Sequence, residues 1–100
     1  MGLARRTSEF GRPLDAELVQ VDGTTAEAPL ATPAGTRSAL MSVSGEAVMY
    51  RVDGTSPTSA VGHLVQVGDF VELGAADLID FEVISISATP ANVFITYYGD

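Results

Sequence analysis

The sequence contains no cysteine, no lysine and no tryptophan. Without cysteine the chain cannot form a disulfide or hold a metal through thiolates. It also lacks any apolar run near the ~20 residues that a membrane-spanning helix needs, although 46% of its residues are hydrophobic. We therefore expect a soluble protein with no membrane partner.

Positive charge is scarce and unevenly placed. Thirteen acidic residues against five arginines give a net charge of −8. This charge opposes binding to nucleic acid phosphates, so we expect no nucleic acid partner. Three of the five arginines, Arg5, Arg6 and Arg12, lie within the first twelve residues, whereas the chain after Arg12 carries two arginines and twelve acidic residues.

A chain of 100 residues is the size of one domain with one modest core. Its first 13 residues mix glycine, arginine, serine and threonine with little periodicity, which favours an arm over a strand. We assign residues 1–17 to an extended N-terminal arm and residues 18–100 to the folded domain. Two interpretations of the arm stay open: a frayed end, or a segment that docks on a partner.

From residue 18 onward, short segments of alternating or β-branched residues are separated by glycine and proline turns, a pattern typical of strands. Asp53-Gly54 predicts a tight turn between consecutive antiparallel strands at the centre. The last two segments predict a terminal hairpin, and residues 74–78 predict one helical turn at most. The predicted strands are residues 18–21, 24–30, 39–43, 47–52, 62–67, 70–73, 81–87 and 93–98.

Seven to eight short strands at spacings of about 8 to 12 residues are typical of two packed sheets. We therefore predict an all-β protein: a single β-sandwich, jelly-roll or Ig-like, of antiparallel strands with negligible helix. Such a fold exposes sheet edges that must be paired or protected, and the absence of lysine removes one common edge guard.

The sequence offers little catalytic chemistry. His63 is the sole histidine, and a catalytic or metal-binding role would require converging partners, for which Asp53 and Asp69 are the nearby candidates. Residues 53–58 concentrate hydroxyl groups as a ligand loop would, but an Asp-Gly pair with Pro57 is also ordinary turn chemistry, which we favour. We expect no enzyme activity, no cofactor and no bound metal.

Four segments resemble small structural proteins encoded by tailed bacteriophages: residues 33–37 (PAGTR), 48–58 (VMYRVDGTSPT), 61–69 (VGHLVQVGD) and 93–98 (VFITYY). The resemblance implies a virion structural protein, most of all a capsid decoration or cement protein that binds the outer capsid surface and stabilises the head. It implies the major capsid protein as partner and brings no catalytic residues. We also expect self-association, with a homotrimer ahead of a dimer, because a small domain with this apolar fraction leaves surface for a partner.

A function of another class stays open beside this one, namely a carbohydrate-binding or receptor-binding module of a phage fibre or tail. Tyr97 and Tyr98, together with the hydroxyl-rich residues 53–58, motivate it, since sugar sites present aromatic platforms beside polar groups. Packing or subunit contact is the favoured interpretation of the aromatic residues of the last strand, including Phe94.

Five residues of the N-terminal region are our candidates for the contact with a capsid. Arg5, Arg6 and Arg12 would pair with carboxylates of the partner, and such pairs are strongest when bidentate and shielded from water. Phe10 and Leu14 would supply the apolar part of the contact.

Overall fold

The structure, a computed structural model, describes residues 11–29 and 31–100. Within these residues strands dominate, and one five-residue helix lies among them. The strands are β1 (Arg12–Val21), β2 (Ser38–Ser44), β3 (Val48–Arg51), β4 (His63–Val65), β5 (Phe70–Gly74), β6 (Glu82–Ser85) and β7 (Ala91–Gly99). Helix α1 (Ala75–Ile79) lies between β5 and β6.

The strands form two antiparallel sheets that pack as a sandwich. The four-stranded sheet has the order β1-β7-β2-β5, and the three-stranded sheet has the order β4-β3-β6. The described part of the chain measures 36 × 29 × 18 Å between Cα atoms, in keeping with two sheets about 10 Å apart. The predicted all-β sandwich with negligible helix is confirmed.

One isolated bridge decides the topology. Glu27 and Val83 exchange two backbone hydrogen bonds, both of 2.9 Å, so Glu27 extends the three-stranded sheet beyond β6. If Glu27 is counted as a short second strand, the described residues form eight strands. Numbered in chain order, these strands lie as 1-8-3-6 in the first sheet and as 2-7-4-5 in the second. This double Greek key is the connectivity of a jelly roll, so the structure selects the jelly roll over the Ig-like arrangement.

The segment 24–30 was predicted to be a strand, and among its described residues Glu27 alone pairs with a sheet. The reason lies in the turn that precedes it. The Asp22 carboxylate accepts hydrogen bonds of 2.9 Å from the amides of both Thr24 and Thr25, and these amides are thereby withdrawn from any ladder. Pro29 then brings no amide proton, which stops the pairing from continuing.

The predicted terminal hairpin is wrong, because β6 and β7 belong to opposite sheets. The connection between them arches across the sandwich and is held by its own side chains: the buried Ser85 hydroxyl donates to the carbonyl of Thr89 at 2.7 Å, and Ser87 Oγ accepts from the Thr89 amide at 3.1 Å. In the central block β3 and β4 do pair, as predicted, whereas β2 pairs with β5 rather than with its neighbour β3. Alternation identifies strands but carries no information about which sheet each one joins.

Strand β1 begins at Arg12, six residues before the strand predicted from Leu18. Gly11 permits this start, since its φ of +91° suits glycine and a β-carbon there would lie 2.4 Å from the carbonyl oxygen of Gly99. A bulge between Pro13 and Asp15 shifts the register against β7. Proline and bulges are both tolerated because β1 is an edge strand.

The core lies between the sheets and is built from the inward-facing residues of both. Its largest fully buried side chains are Tyr97, Phe81, Met41 and Ile95. Helix α1 closes one end, with Leu78 packed against the core and the Asp77 carboxylate accepting the amide of Gly74 at 2.9 Å. Within residues 11–29 and 31–100, no helix has both the length and the apolar character that a membrane crossing demands.

Candidate functional site

The proposed capsid-contact residues divide into two groups. Arg5, Arg6 and Phe10 lie outside the described residues. Arg12 and Leu14 lie in β1, where Arg12 is exposed opposite Gly99 and Leu14 is half-buried and packed against the core. Leu14 thus already has apolar contacts inside its own domain.

The outer side of β1 forms one edge of the four-stranded sheet, since β7 occupies its other side. The Ala16 amide donates to the Asp15 carboxylate at 2.8 Å. An acidic side chain therefore satisfies a backbone donor at the open edge and guards it there, a role that lysine often fills in other proteins. The rest of this edge offers a template on which a partner strand can pair.

Tyr97 lies inside the sandwich and is not a sugar platform. Its hydroxyl donates to Oε1 of Glu17 at 2.5 Å, and the Ala31 amide donates to the same oxygen at 3.0 Å. Burial, and after it the hydrogen bond to Glu17, raise the pKa of Tyr97 well above its usual value. The packing interpretation of Tyr97 is confirmed, and its hydroxyl joins β7 to β1 and to the segment before β2.

Two loops meet over the outer side of the three-stranded sheet and leave an open groove of about 440 Å³. Residues 23–26 form one wall and residues 56–59 the other, and both carry hydroxyl groups. Ile84 forms the floor and is buried although it faces outward from its sheet. Two of these hydroxyls are already engaged: Ser56 Oγ donates to Glu82 at 2.7 Å, and Thr58 Oγ1 accepts from the amides of Ala60 and Val61.

Beside this groove, the turn after β3 is held by an ion pair. Arg51 Nε donates to Asp53 Oδ1 at 3.0 Å, and the arginine lowers the pKa of Asp53 to about 2. His63 is exposed and its ring centre lies 5.1 Å from that of Tyr50. In the part of the chain that the structure describes, no three histidine, aspartate or glutamate side chains come together as metal ligands would.

The outward surface of the four-stranded sheet, which we call the broad face, carries one charged residue, Glu72, among its fifteen described positions. Across its middle a row of residues on four strands is opposed in register: Leu18, Phe94, Ser42 and Phe70. Leu18, Phe94 and Phe70 are 60%, 48% and 64% exposed. The broad face comprises Pro13, Ala16, Leu18 and Gln20 of β1, Asn92, Phe94, Thr96 and Tyr98 of β7, Ser38, Leu40, Ser42 and Ser44 of β2, and Phe70, Glu72 and Gly74 of β5.

Sequence reasoning missed this surface. Alternation places Phe94 and Phe70 each on one side of its own strand, but the row exists because β2 separates β7 from β5, a pairing between segments far apart in the chain. The signal that was available is the run of serines at alternating positions of β2, Ser38, Ser42 and Ser44, which indicates that one side of this strand faces away from the core.

No protein-family model and no curated protein matches the chain. A solved structure that the fold resembles is a chain from Bacillus endospore appendages, described as a novel family of disulfide-linked pili. The two chains are 12% identical with a TM-score of 0.37, and the alignment covers 90% of this chain and 93% of that one. This likeness is too low to transfer a role, and this chain has no cysteine with which to form a disulfide.

Proposed function

We propose that the chain is a non-enzymatic structural protein of a bacteriophage particle, a decoration or cement protein that binds the outer capsid surface and stabilises the head. The observation that carries the proposal is the jelly-roll sandwich whose first strand, β1, is an open edge continuous with the arginine-containing N-terminal segment. Jelly rolls recur in viral capsid and lectin domains. Because a fold alone does not define a function, the contact surface has to be tested directly.

The major capsid protein is the proposed partner. Residues 1–10 together with the exposed Arg12 are the proposed anchor, since Leu14 packs against the core of its own domain. The described portion of the chain is strongly acidic, whereas residues 1–10 carry two arginines against one acid. An acidic or groove-shaped capsid surface would attract this segment while the acidic body stays at a distance. Arg12 is exposed at the start of β1, so it can join Arg5 and Arg6 in the same contact.

Particle-binding measurements on arm variants test the anchor. Deletion of residues 1–10 leaves the whole of β1 in place, since the strand begins at Arg12, and it should weaken binding to particles without loss of the β-rich circular dichroism spectrum. The triple variant Arg5→Ala, Arg6→Ala and Arg12→Ala should bind more weakly and with less dependence on salt.

Arg51→Ala is the matched control, because Arg51 lies in the three-stranded sheet and should leave particle binding unchanged. If the protein without residues 1–10 binds as tightly as the full chain, the anchor is elsewhere and the proposal for this segment fails. A mass-spectrometric inventory of purified particles tests the location: hundreds of copies indicate decoration, and a few copies indicate a neck, tail or fibre component.

A carbohydrate-binding or receptor-binding module of a fibre or tail is the second candidate, and the hydroxyl-lined groove between residues 23–26 and 56–59 is the observation that favours it. Its residues contribute hydroxyl groups but no aromatic ring, and aromatic platforms are the usual core of a sugar site. Amide chemical shifts followed during titration with host-surface glycans decide between the two: saturable shifts confined to the groove would support this candidate over decoration.

A further inference from the structure

The broad face has the features of a surface that meets a copy of itself. Its central row presents three exposed apolar side chains, Leu18, Phe94 and Phe70, around the small Ser42. Solvent-facing sides of sandwich sheets normally carry polar and charged residues in alternation with the core. Here the alternation is kept but the outward positions are mostly apolar or small and uncharged.

Charge distinguishes this face from the rest of the molecule. The chain has a net charge of −8, so two copies repel each other over most orientations. Glu72 is the single charged residue among the described positions of the broad face, and it lies on the edge strand β5. The broad face is therefore the surface on which an equally acidic copy can approach with least repulsion.

Residue sizes on the two central strands indicate how such a copy fits. Outward positions of β7 and β2 oppose each other at four levels: Asn92 with Ser44, Phe94 with Ser42, Thr96 with Leu40, and Tyr98 with Ser38. At each level one side chain is large and the other is smaller. The large residue belongs to β7 at three levels and to β2 at the fourth.

Consider a two-fold axis that lies in the plane of contact, between β7 and β2 and parallel to both strands. Such an axis would place each outward residue of β7 over a β2 residue of the second copy, namely the one that is its pairing partner within the sheet. Phe94 would then lie over the Ser42 of the second copy, in the space about 10 Å wide between that copy's own Phe94 and Phe70. Leu18 would meet Phe70, and Glu72 would meet Ala16 at the rim, with the two Glu72 carboxylates on opposite sides. Self-complementarity of this kind is what an isologous dimer requires.

The broad face is the size of a small interface. Its four strands span roughly 20 Å, and residues 92–98 of β7 run roughly 24 Å along it. This gives about 500 Å² per partner, which is at the low end of specific association and fits a dimer that forms at micromolar concentrations. We propose that a second copy of this chain docks on the broad face to form a two-fold dimer with Phe94 seated over Ser42. The dimer does not depend on the virion role, because it is a property of the isolated chain.

Sedimentation equilibrium of the full chain tests the proposal. The wild type should show twice the 10.4 kDa chain mass at tens of micromolar, and added salt should tighten the association by screening the repulsion. Phe94→Ser should raise the dissociation constant at least about tenfold, as expected for the loss of a central anchor. Leu64→Ser is the matched control, since Leu64 is comparably exposed but faces outward from the three-stranded sheet, and it should leave the dimer intact.

The exchanged double variant Phe94→Ser with Ser42→Phe tests the position of the axis, because it presents the same large and small pair in reversed order. It should restore association to within a few-fold of the wild type, with the circular dichroism spectrum unchanged throughout. A wild-type monomer at these concentrations, a trimer mass, an effect of Leu64→Ser equal to that of Phe94→Ser, or failure of the double variant to restore association would each overturn the proposal.

Discussion

The hydrogen bond between Tyr97 and Glu17 provides the sharpest test of the core. Tyr97→Phe removes the hydroxyl but keeps the ring, so no cavity of consequence is created. What is lost is a hydrogen bond to a carboxylate oxygen that also accepts from the Ala31 amide. Hydrogen bonds to charged groups contribute about 1.5–3 kcal/mol, which we expect as the decrease in the free energy of unfolding.

Urea denaturation followed by circular dichroism measures this decrease, since the chain has no tryptophan to report by fluorescence. In a domain of this size each kcal/mol lowers the melting temperature by about 4–8 °C. Tyr50→Phe is the control: Tyr50 is half-buried against His63 and Phe81, and its hydroxyl donates no hydrogen bond within the described residues. The control should change the unfolding free energy by no more than about 0.5 kcal/mol.

A double-mutant cycle with Glu17→Gln isolates the pair. Contacting residues in one network couple by roughly 0.5–3 kcal/mol, and we expect a value in the upper part of that range. If Tyr97→Phe costs no more than the Tyr50→Phe control, Tyr97 and Glu17 do not interact in solution as the structure has them, and the link between β7, β1 and the segment before β2 is wrong.

Three further predictions concern pH and packing. The pKa of Tyr97 in the folded state lies above the unfolded value of 10.0, so the unfolded state loses its proton first. The free energy of unfolding should therefore fall as the pH rises beyond 10, and it should fall less steeply in Tyr97→Phe. An equal dependence on pH in the two proteins would contradict a raised pKa for Tyr97. Arg51 is the main cause that lowers the pKa of Asp53 to about 2. This pair therefore gives stability that is present above pH 3.8 and is lost as the pH falls through 2. In Arg51→Gln a carboxyl titration by NMR should find the pKa of Asp53 raised toward 3.8, with the Thr55 amide still lowering it. Phe81→Ala empties a fully buried position and should cost about 3–5 kcal/mol in urea denaturation, whereas Phe70→Ala, on the exposed broad face, should cost far less at concentrations where the chain is monomeric.

The sequence was sufficient to predict the class of fold, because strand alternation and glycine turns are local. Residues 47–52 and 62–67 alternate, and β3 and β4 do pair as predicted. The predicted tight turn at Asp53-Gly54 is wrong, because residues 52–62 connect the two strands and the chain reverses where Thr58 pairs with Val61. The sequence was insufficient to show that β6 and β7 belong to different sheets. Whether a chain leaving Ser85 turns back along its own sheet or crosses to the other depends on hydrogen bonds such as that between Ser85 and Thr89, and these form only once both sheets are present.

The candidate surfaces follow the same division. The turn chemistry of Asp53 was predictable from its neighbours, whereas the broad face depends on which strands lie side by side. Phe70 and Leu18 are separated by 51 intervening positions in the chain yet stand in one row of the sheet. No local pattern could have brought them together.

The position of β7 constrains the order in which the molecule can assemble during synthesis. It is the last strand of the sandwich in chain order, yet it lies at the centre of the four-stranded sheet, hydrogen-bonded to both β1 and β2. Until the ribosome has released this segment, β1 has no hydrogen-bonded partner strand and β2 is paired on one side, with β5. In the nascent chain β1 therefore stays unpaired until β7 has been synthesised. Exposed strand edges favour aggregation during this period. A slowly translated or truncated copy would be the form that a chaperone has to protect.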